Sequence, residues 1–214
     1  MAASIKWLGH ACFWVVADGK SICIDLGENN EPVGGADLIL VTHAHADHFD
    51  PVKVANARKE GTAIIAPADC ACKVGGGARA MEPGEEAAVG GLKVRAVHAY
   101  NIRRFRSPGI PFHPKGQGVG YLITAGGKTI YHAGDTDFIP EMRGLGPVDV
   151  AILPTGGTFT MDNDEAAKAA MAIKPRIAIP MHRLDSDPVE FKRNIDGGAG
   201  IQVIIMREGE EFAL

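Results

Sequence analysis

The chain has 214 residues, 22 basic against 26 acidic side chains for a formal net charge of −4, with 46% hydrophobic and 22% charged residues. That length suits one domain with a substantial core. The composition excludes wholesale disorder, and the mildly acidic balance argues against a general nucleic-acid coat or a membrane-surface protein. With 27 glycines, the chain is built for many tight turns. Apolar runs such as Leu38 to Val41 are far too short to span a bilayer. The start, MAASIKWLGH, lacks the charged head and long apolar centre of a signal peptide. Cys12 and Cys23 read as buried small hydrophobes, and the Cys70-x-Cys72 pair has no second pair to complete a zinc site. The expected location is the cytoplasm.

In chain order, FWVV at 13–16 and SICIDL at 21–26 flank Asp18-Gly19, which predicts a hairpin. DLILVTH (37–43) reads as a buried strand leading into a helix over PVKVANARKE (51–60). TAIIAP (62–67) is followed by a short helix near 68–74. Hairpins recur at Gly90-Gly91 and Gly126-Gly127. Between them, 100–117 is a long, basic, proline-interrupted loop of the kind that is usually functional or mobile. VDVAILP (148–154) leads into a helix over 162–173, marked by the capping-box pair Asp162 and Glu165. RIAIPMH (176–182) leads into DPVEFKRNID, which ends at Asp196. Hairpins followed by strand–helix units in both halves predict a four-layer αββα sandwich of two mixed β-sheets with helices outside. No linker divides residues 1–214.

The chemistry concentrates in Thr42-His43-Ala44-His45-Ala46-Asp47-His48. In an extended segment His43 and His45 point to the same side and can hold one ion. Asp47 and His48, as the chain turns toward Pro51, can face a neighbouring ion. The cluster follows a buried strand, where α/β sheets usually place their ligands.

The pattern H-x-H-x-D-H resembles the signature of the metallo-β-lactamase fold superfamily. The resemblance implies further ligands at His98, at the end of LKVRAVH; at Asp135, in HAGDT, as a bridge between two metals; and at His182, in PMH. Leu8-Gly9-His10, Phe112-His113-Pro114-Lys115-Gly116, Tyr131 to Asp137, and Gly156-Gly157 with Phe159 to Asp162 look like the small metal-dependent hydrolase branch related to L-ascorbate-6-phosphate lactonase. Arg183 departs from that branch, which often carries an aromatic residue there. The resemblance implies two divalent metal ions, with Zn²⁺ first and Mn²⁺, Fe²⁺ or Ni²⁺ open to the same N and O donors. Their hydroxide would attack a carbonyl or phosphorus centre. Asp47 is expected to orient the nucleophile as well as bind metal, and His113 to donate a proton or hold an anion. His10 is expected to touch substrate, and His132 to support a ligand.

From Ala87 to Gly134 there is no acidic residue but seven basic ones. Of these, Arg103, Arg104, Arg106 and Lys115 share the 100–117 segment, and Arg104 or Lys115 is expected to face the metals and bind substrate. The expected reaction is hydrolysis of a small anionic lactone, ester, thioester or phosphodiester. The alternatives are a ribonuclease Z-like nuclease and a non-hydrolytic redox or sensor protein. A homo-oligomer is left open, and no nucleic-acid or membrane partner is expected.

Overall fold

The structure, a computed structural model, describes residues 3–31, 33–195 and 200–214. Six strands, β1 (Ser4–Trp7), β2 (Phe13–Ala17), β3 (Lys20–Ile24), β4 (Ala36–Leu40), β5 (Arg58–Ala66) and β6 (Arg79–Ala80), lie side by side in chain order. The C-terminal strand Glu211–Ala213 pairs antiparallel with β1 and completes the first sheet. Its β1–β3 part is antiparallel and its β3–β6 part parallel. The second sheet repeats that plan. Strands β7 (Glu86–Val89), β8 (Leu92–Ala99), β11 (Gly118–Ala125) and β12 (Lys128–His132) are antiparallel. Strands β13 (Val150–Pro154), β14 (Ile177–Met181) and β15 (Gln202–Val203) continue from β12 in parallel. The 100–117 segment folds back on itself through the small hairpin β9 (Phe105–Ser107) and β10 (Ile110–Pro111).

Strand alternation sorts the apolar residues into layers. Ile22, Ile24, Leu38, Leu40 and Ile65 join Val94, Tyr121 and Ile123 of the other sheet in one core. The alternate residues Cys23, Ile39, Ile64 and Ala66 pack instead with Val54 and Cys70, under helices α1 (Pro51–Asn56) and α2 (Ala68–Val74). Helices α3 (Asn163–Ile173) and α4 (Pro188–Ile195) cover the other sheet through Ala166, Ala170, Phe191 and Ile195. The αββα expectation therefore holds, and so do all three hairpin turns. Asp196, the last residue of the expected final helix, lies outside the described residues. No described helix is long and apolar enough to cross a membrane.

Two local expectations need correction. The helix after Pro51 stops at Asn56, and Arg58 already begins β5. Helical propensity in ANARKE yields there to pairing of β5 with β4. The capping box of α3 forms only by half. Asp162 Oδ1 accepts from the Glu165 backbone N–H at 2.8 Å, but the Glu165 carboxylate turns to Phe138 N and Arg104.

Candidate metal centre

The site lies at one end of both sheets, where the parallel strands finish. Asp25 follows β3, His43 to His48 follow β4, Asp135 follows β12, and His182 follows β14. The backbone N–H of His182 donates to His10 O at 3.0 Å, tying the two sheets together beside these groups. His10, Asp25 and His182 all hold left-handed backbones, at φ 51°, 53° and 45°. Such conformations cost about 1–3 kcal/mol each and are typical of functional sites. Gly27 belongs to the same turn: an added Cβ would meet Asp47 O at 2.0 Å, so only glycine lets the two loops approach this closely.

Two groups of side chains converge. In the first, His43 Nε2 lies 3.0 Å and His113 Nε2 3.2 Å from His45 Nδ1. In the second, His10, Asp47, His48 and His182 meet, with His10 Nε2 3.0 Å from Asp47 Oδ2. Asp135 stands between them. Its Oδ2 is 3.2 Å from both His113 Nε2 and His182 Nε2, and its Oδ1 is 3.3 Å from His48 Nε2.

Three of the outer ring nitrogens are already committed. The Nδ1–H of His48 donates to Asp25 Oδ2 at 2.8 Å. The Nδ1–H of His43 donates to Thr42 Oγ1 at 3.0 Å, and that hydroxyl donates to Asp25 Oδ2 at 2.7 Å. Asn101 Oδ1 accepts from both Nδ1–H and the backbone N–H of His113, each at 2.8 Å. Asn101 in turn donates to Asp137, which is fully buried and paired with Arg104 at 2.7 Å. In the neutral rings, the Nε2 atoms facing the centre therefore carry lone pairs.

Lone pairs crowded within 3.0–3.2 Å, with too few protons to separate them, are what a cation relieves. The spacing suits a tetrahedral ion with bonds of about 2.0–2.1 Å, whose ligand–ligand edge is about 3.3 Å. Buried His48 Nε2 and Asp135 Oδ1, both facing the centre, have no hydrogen-bond partner. The residues present thus fit metal ions.

The electrostatics match this crowding. Burial, reinforced by His48, pushes His43 well below the usual imidazole range. His48 is also penalised by burial, but Asp135 and Asp25 outweigh it and raise the ring well above that range. Burial pushes the Asp135 carboxyl up, yet the neighbouring His182 and His48 hold it well below ordinary carboxylates. Asp47 is low for a similar reason, since the bond from His10 overcomes its burial.

The structure brings together His43, His45, Asp47, His48, Asp135 and His182, with His10 among them. It does not bring in His98. That ring packs edge-on against Tyr100, with centroids 6.1 Å apart, and its Nδ1 is buried without a partner. The cavity wall at that strand end belongs to Ala99, and successive strand residues point to opposite faces. His113 stands where His98 was expected, with its Nε2 grouped with His43 and His45 in an arrangement that can hold an ion. His132 bonds no side chain of the clusters; its Nε2–H donates to Ala11 O at 2.9 Å and its Nδ1 accepts from the backbone N–H of Gly134, next to Asp135, at 3.3 Å.

The basic residues do not reach these clusters either. Arg104 is locked between Asp137 and Glu165, and Lys115 pairs with Glu141 at 2.8 Å. Arg106 lies over the Phe112 ring at 5.9 Å, and none of Arg103, Arg104, Arg106 and Lys115 lines the cavity beside the histidines. Asp25 and Asn101, which orient three of the rings, carry no motif that singles them out in the sequence. The one available signal is an aspartate ending an apolar strand, at Ile24-Asp25.

Residues 4–182 match the family of β-lactamase superfamily domains. A metal-dependent hydrolase of Thermococcus kodakarensis is 38% identical, over 98% of this chain and 99% of its own length. A crystal structure of a proposed metal-dependent hydrolase from Parabacteroides distasonis superposes with TM-score 0.88 at 35% identity, covering 96% of this chain and 93% of that one. A metallo hydrolase from the archaeon Ignicoccus hospitalis superposes with TM-score 0.82 at 27% identity, over 100% and 99% of the two chains.

Proposed function

Because this chain belongs to the β-lactamase superfamily and is a metal-dependent hydrolase, we propose that it works with two divalent metal ions on a small ester, lactone, thioester or phosphodiester. The observation behind this is the carboxylate of Asp135, 3.2 Å from a histidine of each cluster and short of hydrogen-bond donors. His43, His45 and His113 would hold one ion and Asp47, His48 and His182 the other, with Asp135 shared. Bound there, divalent ions supply Lewis acidity that polarises the reacting oxygen and brings the pKa of a water toward neutrality.

The chain's own residues do the rest. Asp25 and Asn101 fix the rings so that their Nε2 lone pairs face inward. His10 donates to Asp47 Oδ2 and keeps that carboxylate turned toward His48 and His182, where it can accept a proton from an attacking water. The donor set of nitrogen and oxygen without thiolate suits Zn²⁺ and equally Mn²⁺, Fe²⁺ or Ni²⁺.

Metal analysis of the purified protein, with turnover of a lactone and of a generic phosphodiester, tests the proposal. Two ions per chain are expected, and chelation should abolish turnover. Asp135→Ala should lower kcat at least about 100-fold and reduce metal content while the fold persists by circular dichroism. Undiminished turnover in that variant sinks the shared-ligand reading. Two tightly held ions with neither activity would favour the sensor alternative.

A further inference from the structure

Beside His43, His45 and His113 opens a cavity of about 170 Å³. Apart from the histidines and Asp135, its wall is largely apolar: Ala99, Phe112, Pro114 and Val119. Gln117 and Asp69, both exposed, are its other polar contributors, and it has no lysine or arginine. From the metal-facing nitrogens, this cavity is the adjoining space into which the rest of a substrate can extend.

Its chemistry runs against the charge pattern of the sequence. Of the four bases of 100–117, Arg104, Lys115 and Arg106 are spent on Asp137, Glu165, Glu141 and an aromatic face. Among the described residues, the single charge at the cavity outside the histidine–aspartate clusters is the carboxylate of Asp69. Beyond the metal-facing nitrogens, a substrate carboxylate or phosphate would leave water, meet no lysine or arginine among the described lining residues and face the like charge of Asp69. An alkyl or aryl group would lose nothing and bury apolar surface. As for size, an apolar cavity of about 150 Å³ accommodates benzene.

We infer that the part of the substrate flanking the reacting bond is an uncharged, apolar group of about six carbons, seated among Ala99, Phe112, Pro114 and Val119. This rests on the hydrolase reading for the position of the reacting bond. The preference against anions belongs to the cavity itself.

Two ligands separate the substrate preference from the chemistry. Hexanohydroxamic acid and the monohydroxamate of adipic acid share a metal-binding head and a chain length, and differ in ending on methyl or carboxylate. Calorimetric titration of the metal-loaded protein should give a Kd at least tenfold lower for the methyl-ended ligand. Gln117→Lys, an exposed substitution that puts a cation at the cavity, should bring the two within about threefold.

Equal affinities, tighter binding of the carboxylate, or no binding of either ligand overturns the inference. The corresponding nitrophenyl esters then report on the chemistry. If the methyl-ended hydroxamate is preferred but neither ester turns over, the proposal of ester hydrolysis fails and the substrate inference stands. If the carboxylate-ended ester turns over faster, the hydrolase reading stands and the substrate inference fails.

Discussion

Two residues without a motif organise the site. Asp25 accepts from the His48 ring, from the Thr42 hydroxyl that holds His43, and from the Thr42 backbone N–H at 2.7 Å. It is completely buried, so each of these bonds forms without competition from water. Asp25→Ala should weaken metal affinity about 10- to 100-fold, because two rings lose the partner that sets tautomer and angle. Competition with a chromophoric chelator measures this, and unchanged affinity would deny Asp25 its orienting role. Type and spacing alone singled out His43, His45, Asp47 and His48; Asp135 and His182 came with the family resemblance, and the fold brings all six together. His98 had the right type at a strand end. Its ring goes to Tyr100 instead, and the third nitrogen comes from His113, which the small hairpin returns to the centre.

At the level of elements, turn chemistry and strand alternation were legible because both are local. Asp-Gly and Gly-Gly pairs make tight turns wherever two strands can pair, and a period of two needs no partner to be read. What failed was the end of α1, where Arg58 to Glu60, helical in composition, joined β5 because β4 offered hydrogen bonds. The join between β3 and β4 carries its own signature. Asp37 accepts from the Ser21 backbone N–H at 2.9 Å, faces Lys59 at 3.0 Å, and also takes the Ser21 hydroxyl. The Ser21 N–H, then Lys59 and Lys20, hold its carboxyl far below the ordinary value and outweigh its burial. The folded pKa is thus lower than the unfolded one of about 3.9, so the group stabilises the fold above that pH and progressively less as pH falls below it. Asp37→Asn should lower Tm at pH 7, with the deficit shrinking below about pH 4. A deficit that stays constant from about pH 7 to about pH 3 would contradict the assignment.

Across the whole molecule, one chain of contacts runs from α3 to the metal centre. Glu165 and Asp137 hold Arg104, Asp137 accepts from Asn101, and Asn101 accepts from His113. Arg104 is therefore a support for the site and not a hand for substrate. Arg104→Ala would leave Asp137 and Glu165 buried without their cation, a loss of about 3–5 kcal/mol by analogy with other broken buried pairs. Urea unfolding at pH 7 reads this directly, and a change under about 1 kcal/mol would count against it. The sequence by itself determined the two mixed sheets and the H-x-H-x-D-H cluster, because both follow from local spacing and residue type, and the resemblance those residues carry pointed to the superfamily. Only the tertiary structure decided which histidine completes the first cluster, which carboxylate orients the rings, and where the basic loop spends its charge. Those outcomes depend on which distant side chains share a buried space, and pairing there obeys the cost of leaving a charge or a lone pair without a partner.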